Sequence, residues 1–141
     1  MNDALFYGSP GLELINPNQL GLDPGHAYVM RAPNDPITTY AAPLAPEHGW
    51  GLNPYDGMLP ELSSQAGFDP GKILRSGVGG HADYPRSVLD SAGNEVLRMS
   101  GYNFAAITAG LPDNKVLATP MIHPLFPLGP VPFPPNAAGG R

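Results

Sequence analysis

The stretch RSVLDSAGNEVLRMSGYNFAAITAG, Arg86–Gly110, is a long run of the chain without proline. Within it, SVLD and EVLRM flank SAGN, whose Ser, Gly and Asn favour a tight reversal. The pattern predicts a β-hairpin over about 87–99, in which Ser87–Asp90 pairs with Glu95–Met99. YNFAAIT is predicted to continue as a third strand, and NKVLATP as a fourth strand ending at Pro120. The sequence therefore predicts a small antiparallel sheet, which is stable with three or more strands.

Composition predicts that the rest of the chain is mainly β and irregular, with little helix. Among 141 residues there are 18 glycines and 19 prolines, which are poorly suited to long helices or central strands. Yet 42% of residues are hydrophobic and only 13% are charged, so the chain is not the polar, self-repelling kind that stays disordered. We expect long Pro/Gly-rich extended arms that bury their apolar surface against something else.

The chain is the size of one domain, and its composition divides it into four segments. We predict an N-terminal arm at 1–20, a Pro/Gly-rich, extended and loop-rich region at 21–85, the small β-sheet nucleus at 86–119, and a Pro-rich C-terminal arm at 120–141.

Two phrases inside this organisation share Asp-Pro-Gly, GLDPGHAYVMRAP from Gly21 and GFDPGKILRSG from Gly67. The shared letters make a good turn or a good helix start. After the first, HAYVMRA suits a strand as well as a helix. After the second, Lys72–Ser76 is predicted to form a helical turn.

The C-terminal arm contains MIHPLFPLGPVPFPP, Met121–Pro135, an apolar stretch with no Asp, Glu, Lys or Arg. A polyproline II helix has three residues per turn, so residues three apart share an edge. This spacing predicts a docking rod, with the alternative that the arm folds over the chain's own sheet. The predicted partner-binding residues are the apolar side chains of the rod together with the single tryptophan: Ile122, Leu125, Phe126, Leu128, Val131, Phe133 and Trp50.

Motifs for chemistry are scarce. HADY sets His81 and Asp83 two apart, which on a strand would place both on one face as half of a metal site. They are weak metal candidates, because surface or hydrogen-bonded histidines give the same pattern. There is no H-E-x-x-H, no Gly-rich phosphate loop and no G-x-S-x-G. The sequence therefore predicts no catalytic residues and no cofactor.

Charge and composition exclude several further classes. The net charge is −5 and there are only two lysines, Lys72 and Lys115, which argues against nucleic-acid binding. The absence of cysteine excludes disulfides and thiol catalysis. The first residues lack the pattern of a signal peptide. The sequence contains no run of 18 apolar residues that is free of Pro, Gly and charge, so no transmembrane segment is predicted.

The leading interpretation is a non-enzymatic structural subunit of a large assembly. A virus capsid cement, decoration or minor structural protein fits best, with shell proteins as partners, self-association as a further possibility, and the virion as location. The first alternative is an accessory subunit of a large intracellular complex, membrane-bound complexes included. The second alternative is a small metal-binding or enzymatic domain that uses His81 and Asp83.

Overall fold

The computed structural model describes residues 2–119, and a three-stranded parallel sheet lies at its centre. The strands are β1 (Ala4–Tyr7), β2 (Ala27–Met30) and β3 (Glu61–Leu62), in the order β1-β2-β3. Tyr7 is the partner of Met30, and Met30 is the partner of Leu62, with both pairings parallel. All four residues of β2 are buried, as expected for a parallel strand that is covered on both faces.

Alternate residues of β2 enter two separate hydrophobic clusters, because successive side chains of a strand point to opposite faces. Tyr28 and Met30 belong to the first cluster, and Ala27 and Val29 to the second. The other buried members of the first cluster are Ala32, Leu62, Val78, Tyr84 and Ile107. Those of the second are Ala42, Tyr55 and Leu59. The core therefore sits on both sides of the sheet.

The prediction of an antiparallel sheet as the nucleus is wrong for this central element. Parallel strands need long crossover connections, and here the crossovers are made of turns and short helices. Pro17–Leu20 is a 3-10 helix with Asn16 as its cap, and Ile37–Ala41 is a single π-helical turn. Proline is compatible with the first turn of a helix, so the Pro-rich stretches fold as connections around a sheet. The segment predicted as an N-terminal arm contributes β1.

The predicted hairpin within 87–99 is confirmed, although it is shorter than expected. Strands β4 to β7 form two antiparallel pairs: β4 (Gly67–Phe68) with β5 (Leu74–Arg75), and β6 (Val88–Leu89) with β7 (Glu95–Val96). In the β6–β7 loop the Asp90 carboxylate accepts hydrogen bonds from the backbone N–H groups of Ala92 and Asn94. These hydrogen bonds join residues that are close in sequence, which is why the sequence pattern could predict the turn.

The helical turn predicted at Lys72–Ser76 is wrong, because this segment closes the β4–β5 hairpin. The Asp69 carboxylate accepts from the backbone N–H of Ile73 at 3.0 Å and from the Arg75 guanidinium at 2.8 Å. Lys72 has φ 65°, in the left-handed region that ends a helix rather than continues it. Asp-Pro-Gly thus acts here as a turn.

The predicted third strand is wrong: its residues form the only α-helix of residues 2–119, α1 (Met99–Thr108). Met99, Ser100, Asn103, Ala106 and Ile107 are buried, a spacing of three to four that belongs to a helix face. Two of these positions, Ser100 and Asn103, are polar, so the sequence does not show the apolar spacing that would predict a helix. Within residues 2–119, no helix combines the length and apolar character needed to cross a membrane.

Asn103 explains how α1 is held. Its side-chain amide donates to the carbonyls of Ser63 and Val116 at 2.9 and 3.0 Å, and its Oδ1 accepts from the N–H of Val116 at 2.7 Å. The predicted fourth strand, NKVLATP, is therefore limited to one antiparallel bridge, between Leu117 and Leu62. It belongs to the β3 side of the sheet and not to the predicted hairpin.

At a coarse level, the prediction of a mainly β and irregular chain with small sheets and little helix is confirmed for residues 2–119. The predicted C-terminal arm, 120–141, and its polyproline II helix lie outside the described residues.

We expect Asn103→Ala to lower the free energy of unfolding by roughly 3 kcal/mol, because buried backbone groups lose their hydrogen-bond partner. Asn114→Ala, at an exposed position near the same connection, is the control and should cost less than about 0.5 kcal/mol. Urea denaturation of both variants measures the difference. Equal losses would contradict the anchoring role of Asn103.

Candidate functional site

Asp35 lies on the loop that follows the carboxyl end of β2, and its carboxylate is fully buried. The residue has 0% relative exposure. Its Oδ1 accepts from the backbone N–H of Ile37 at 2.9 Å, and its own N–H donates to the carbonyl of Ala32. The loop therefore points the carboxylate inward, where it requires further hydrogen-bond partners.

His81 supplies one of those partners. Its Nδ1 is 3.0 Å from both carboxylate oxygens of Asp35, across 46 residues of sequence. The side chain of His81 is 53% exposed while that of Asp35 is 0% exposed. Because Nδ1 is engaged by the carboxylate, Nε2 lies on the side of the ring away from Asp35.

Tyr84 supplies the other partner, one turn further along the chain. Its hydroxyl donates to Oδ2 of Asp35 at 2.7 Å and accepts from the backbone N–H of Ala32 at 2.9 Å. Burial, above all, raises the pKa of Tyr84, and the hydrogen bond to the Asp35 carboxylate and its charge raise it further. The phenol therefore stays protonated and remains a donor.

The glycine at the end of β1 allows the histidine ring to approach. Gly8 has φ +63°, and a Cβ built on it would lie 3.0 Å from Cε1 of His81 and 3.1 Å from Cε2 of Tyr84. Its N–H donates to the carbonyl of Met30 at 3.1 Å. The backbone of β1 and the ring of His81 are thus in direct contact, at the carboxyl end of the parallel sheet.

This arrangement has the chemistry of an oriented general base. A neutral imidazole whose Nδ1–H donates to a carboxylate carries its lone pair on Nε2, where it can take a proton from a nucleophile. The carboxylate then stabilises the imidazolium that forms. What the pair requires in addition is a nucleophile close to Nε2.

A second histidine–carboxylate pair shows why position matters. His26 Nδ1 is 2.9 Å from Oδ1 of Asp3, and both residues immediately precede strands, at the amino ends of β2 and β1. Sites in parallel α/β sheets lie at the carboxyl ends of the strands. The Asp35–His81 pair is at that end, so we identify it as the candidate site and the His26–Asp3 pair as structural.

The structure separates the two residues that the sequence grouped as half of a metal site. Residues 81–83 form a 3-10 turn and not a strand, so His81 and Asp83 do not share a face. Asp83 accepts from the N–H of Gly79 and lies 3.5 and 4.0 Å from the guanidinium groups of Arg86 and Arg98. Among residues 2–119, no group of three or more His, Cys, Asp or Glu side chains is placed to hold a metal ion.

Of the predicted partner-binding residues, only Trp50 is described. Its ring stacks on that of His48 at 4.6 Å between centroids. Its carbonyl accepts from the N–H of Glu13 at 2.7 Å, so Trp50 contacts its own chain. Ile122, Leu125, Phe126, Leu128, Val131 and Phe133 lie outside the described residues, and their role stays a prediction.

Asp35 is the candidate site residue that sequence reasoning missed. It stands in RAPNDPI, directly after the strand HAYVM, inside a region interpreted as loops. The available signal was an acidic residue just beyond the carboxyl end of an apolar strand, followed by a second candidate, His81, later in the chain. That signal becomes visible only once the strand is known to belong to a parallel sheet.

Comparisons with known proteins give partial matches to one family model and to three curated proteins. A family model described as alpha/beta hydrolase matches residues 1–46, the segment that contains β1, β2 and Asp35. An uncharacterized protein of Mycobacterium bovis and two uncharacterized proteins of Mycobacterium tuberculosis are each 42% identical to the chain over 80 residues. The match covers 55% of the chain but 28% of each relative, so the chain spans less than a third of their length. No solved structure matches.

These findings overturn the functional interpretation drawn from composition. The prediction of a capsid or other assembly subunit is wrong, because the match is to a hydrolase family and the relatives are bacterial proteins. Within residues 2–119, buried apolar residues form a core on both sides of the central sheet. The same match, which covers residues 1–46, suggests an enzyme but does not contradict the non-enzyme prediction. The sequence has no G-x-S-x-G motif.

We expect Gly8→Ala to destabilise the protein by roughly 1–2 kcal/mol more than Gly21→Ala. Both glycines have φ near +65°, but only at Gly8 would the added methyl meet the rings of His81 and Tyr84. Gly21 has nothing within 4 Å, so its variant measures the backbone cost alone. Urea denaturation gives the comparison, and the NMR shift of the Hε1 proton of His81 should move only in Gly8→Ala. A difference near zero would mean that His81 does not rest on β1.

Proposed function

We propose that this chain carries the carboxylate and the base of a Ser-His-Asp hydrolytic site of the alpha/beta hydrolase type, with Asp35 orienting His81. The observation that carries the proposal is the 3.0 Å contact of His81 Nδ1 with both oxygens of a carboxylate that has no exposed surface. Surface ion pairs are common, but a buried carboxylate that holds a half-exposed imidazole is the geometry of an activated base.

The order of residues along the chain supports this assignment. In the alpha/beta hydrolases the nucleophile comes first, the acidic residue second and the histidine last. Asp35 precedes His81 here and lies within the 1–46 match, after a parallel strand. The order is therefore that of the last two members of the triad.

The nucleophile is proposed to come from polypeptide outside these 141 residues. The chain has no G-x-S-x-G, the strained turn on which the family's serine sits at the end of a strand. β1 is at the edge of its sheet, and Gly8 at its carboxyl end touches His81. A further parallel strand that pairs with the open edge of β1 would end beside the same imidazole.

The surface next to β1 supports the same placement. Two open cavities, of about 700 and 300 Å³, lie between β1 and α1 and share Leu5 and Phe104 as lining residues. Phe104 is 49% exposed and Tyr7 is 42% exposed. Parallel sheets are covered on both faces, so an exposed apolar flank beside an open edge is the site at which the remainder of a hydrolase domain would pack.

The proposed reaction is acyl transfer to water. Nε2 of His81 takes the proton as the serine oxygen attacks the carbonyl carbon of an ester or amide, and the imidazolium then gives that proton to the leaving group. Water attacks the acyl-serine in the second half, again with His81 as base, and releases the acid and the free serine. Asp35 keeps the imidazole in one tautomer throughout.

A chimera tests the proposal: the matching segment of a Mycobacterium tuberculosis relative is replaced by this chain. We expect the chimera to hydrolyse p-nitrophenyl acetate and to react with a fluorophosphonate probe. In the chimera, His81→Ala and Asp35→Asn should each lower kcat by about 10⁴-fold, because the serine loses its base or the base its correct tautomer.

His26→Ala is the matched control, since it removes a histidine with the same contact to a carboxylate at the other end of the sheet. It should leave the rate within about threefold of the unmodified chimera. Fluorophosphonate labelling reports on the nucleophile even if the ester is a poor substrate. Equal effects of His81→Ala and His26→Ala on both readouts would overturn the proposal.

A further inference from the structure

We propose that Tyr84 is a positioning residue for the site: its hydroxyl donates to Oδ2 of Asp35. This hydrogen bond thereby determines how strongly the carboxylate binds the His81 imidazole and stabilises its protonated form. This inference rests on the proposed function and adds to it a fourth residue, outside the Ser-His-Asp set. It concerns the 2.7 Å contact between Tyr84 and Asp35.

The direction of the hydroxyl hydrogen follows from its two contacts. A phenol has one hydrogen to donate and lone pairs to accept. The backbone N–H of Ala32, at 2.9 Å, can only donate, so it occupies a lone pair of the phenol oxygen. The hydroxyl hydrogen is then directed at Oδ2 of Asp35, and Tyr84 is only 3% exposed.

The donors are distributed between the two carboxylate oxygens. The N–H of Ile37 is bound to Oδ1 and the hydroxyl of Tyr84 to Oδ2, while His81 Nδ1 lies 3.0 Å from both. Without the phenol, Oδ2 would depend on His81 alone. A less satisfied carboxylate is more basic, so it would favour the charged imidazolium over the neutral base.

Tyr84 is itself held in place through both its backbone carbonyl and its ring. Its carbonyl accepts from the Ser100 hydroxyl at 2.8 Å, which ties it to the first turn of α1. Its ring lies 5.1 Å from that of Tyr7 and edge-on to that of His81 at 6.3 Å. One 3-10 turn therefore presents both His81 and Tyr84 to a single carboxylate from the other side of the core.

Two other titratable groups lie on the elements around His81. Tyr7 lies on β1, and Asp83 on the same turn as His81 is the partner of Arg86 and Arg98. None of these is recorded in a hydrogen bond to Asp35 among residues 2–119, so a change at Tyr84 should reach His81 mainly through the carboxylate.

The test uses the 141-residue chain itself and needs no substrate. Diethyl pyrocarbonate acylates neutral imidazole, and peptide mass spectrometry reads the reaction at each histidine as a function of pH. Tyr84→Phe should move the midpoint of the His81 reaction to higher pH by roughly 0.5–1 unit. Asp35→Asn should move it to lower pH. His26 and His48 in the same samples should keep their midpoints in both variants.

Two further variants separate positioning from simple packing. Tyr7→Phe removes a hydroxyl from the adjacent ring and should shift nothing. Tyr84→difluorotyrosine keeps the shape but makes the hydroxyl a stronger donor, so the His81 midpoint should move to lower pH. This variant remains informative if Tyr84→Phe loses its circular dichroism spectrum.

An unchanged His81 midpoint in folded Tyr84→Phe, or a shift to higher pH with difluorotyrosine, would overturn the inference. The readout does not depend on a nucleophile. Failure of the chimera with the expected pH shifts would therefore reject the hydrolytic function and leave the Tyr84–Asp35–His81 linkage in place.

Discussion

The Asp35 carboxylate has no exposed surface, and much of the arrangement around it follows from that constraint. A carboxylate removed from water is costly unless it is paired and hydrogen-bonded. Here the partners come from two separated parts of the chain: Ile37 beside it, and His81 and Tyr84, which are 46 and 49 residues away. The hydrogen bonds that the buried carboxylate requires thus hold the loop after β2 against the turn that follows the β4–β5 hairpin. The exposed edge of the imidazole is a consequence of the same contact.

The parallel sheet places Asp35 where it can contact His81 and Tyr84. β2 is buried on both faces, and its carboxyl end delivers Asp35 to the edge where Gly8 also ends β1. α1 covers one face through Ile107 and is held through Asn103. The sheet has an open edge at β1 and an apolar flank beside it, which agrees with a match that covers 28% of the length of its relatives. The proposed function treats this sheet as one part of a larger α/β domain.

The misreadings from sequence have a common physical origin. Proline and glycine were interpreted as signs of extended arms, yet the same residues begin short helices and turn the chain between parallel strands. In α1 the buried face includes Ser100 and Asn103, so the apolar spacing that predicts a helix was interrupted by polar residues with specific partners. Within residues 2–119, much of the apolar side-chain surface is buried in two clusters of the chain's own core.

Two local features were determined by the sequence alone: the reversal at SAGN and the small amount of helix. These depend on backbone preferences and side-chain contacts within a few residues. At Asp-Pro-Gly and at HAYVMRA the sequence left two conformations open, and the structure has a turn and a strand there. Only the tertiary structure decided which strands are parallel neighbours, and which carboxylate His81 meets. The sequence pattern paired His81 with Asp83, two residues away, whereas in the structure His81 contacts Asp35, 46 residues away. A contact over that distance depends on how the crossovers fold, and no local pattern records it.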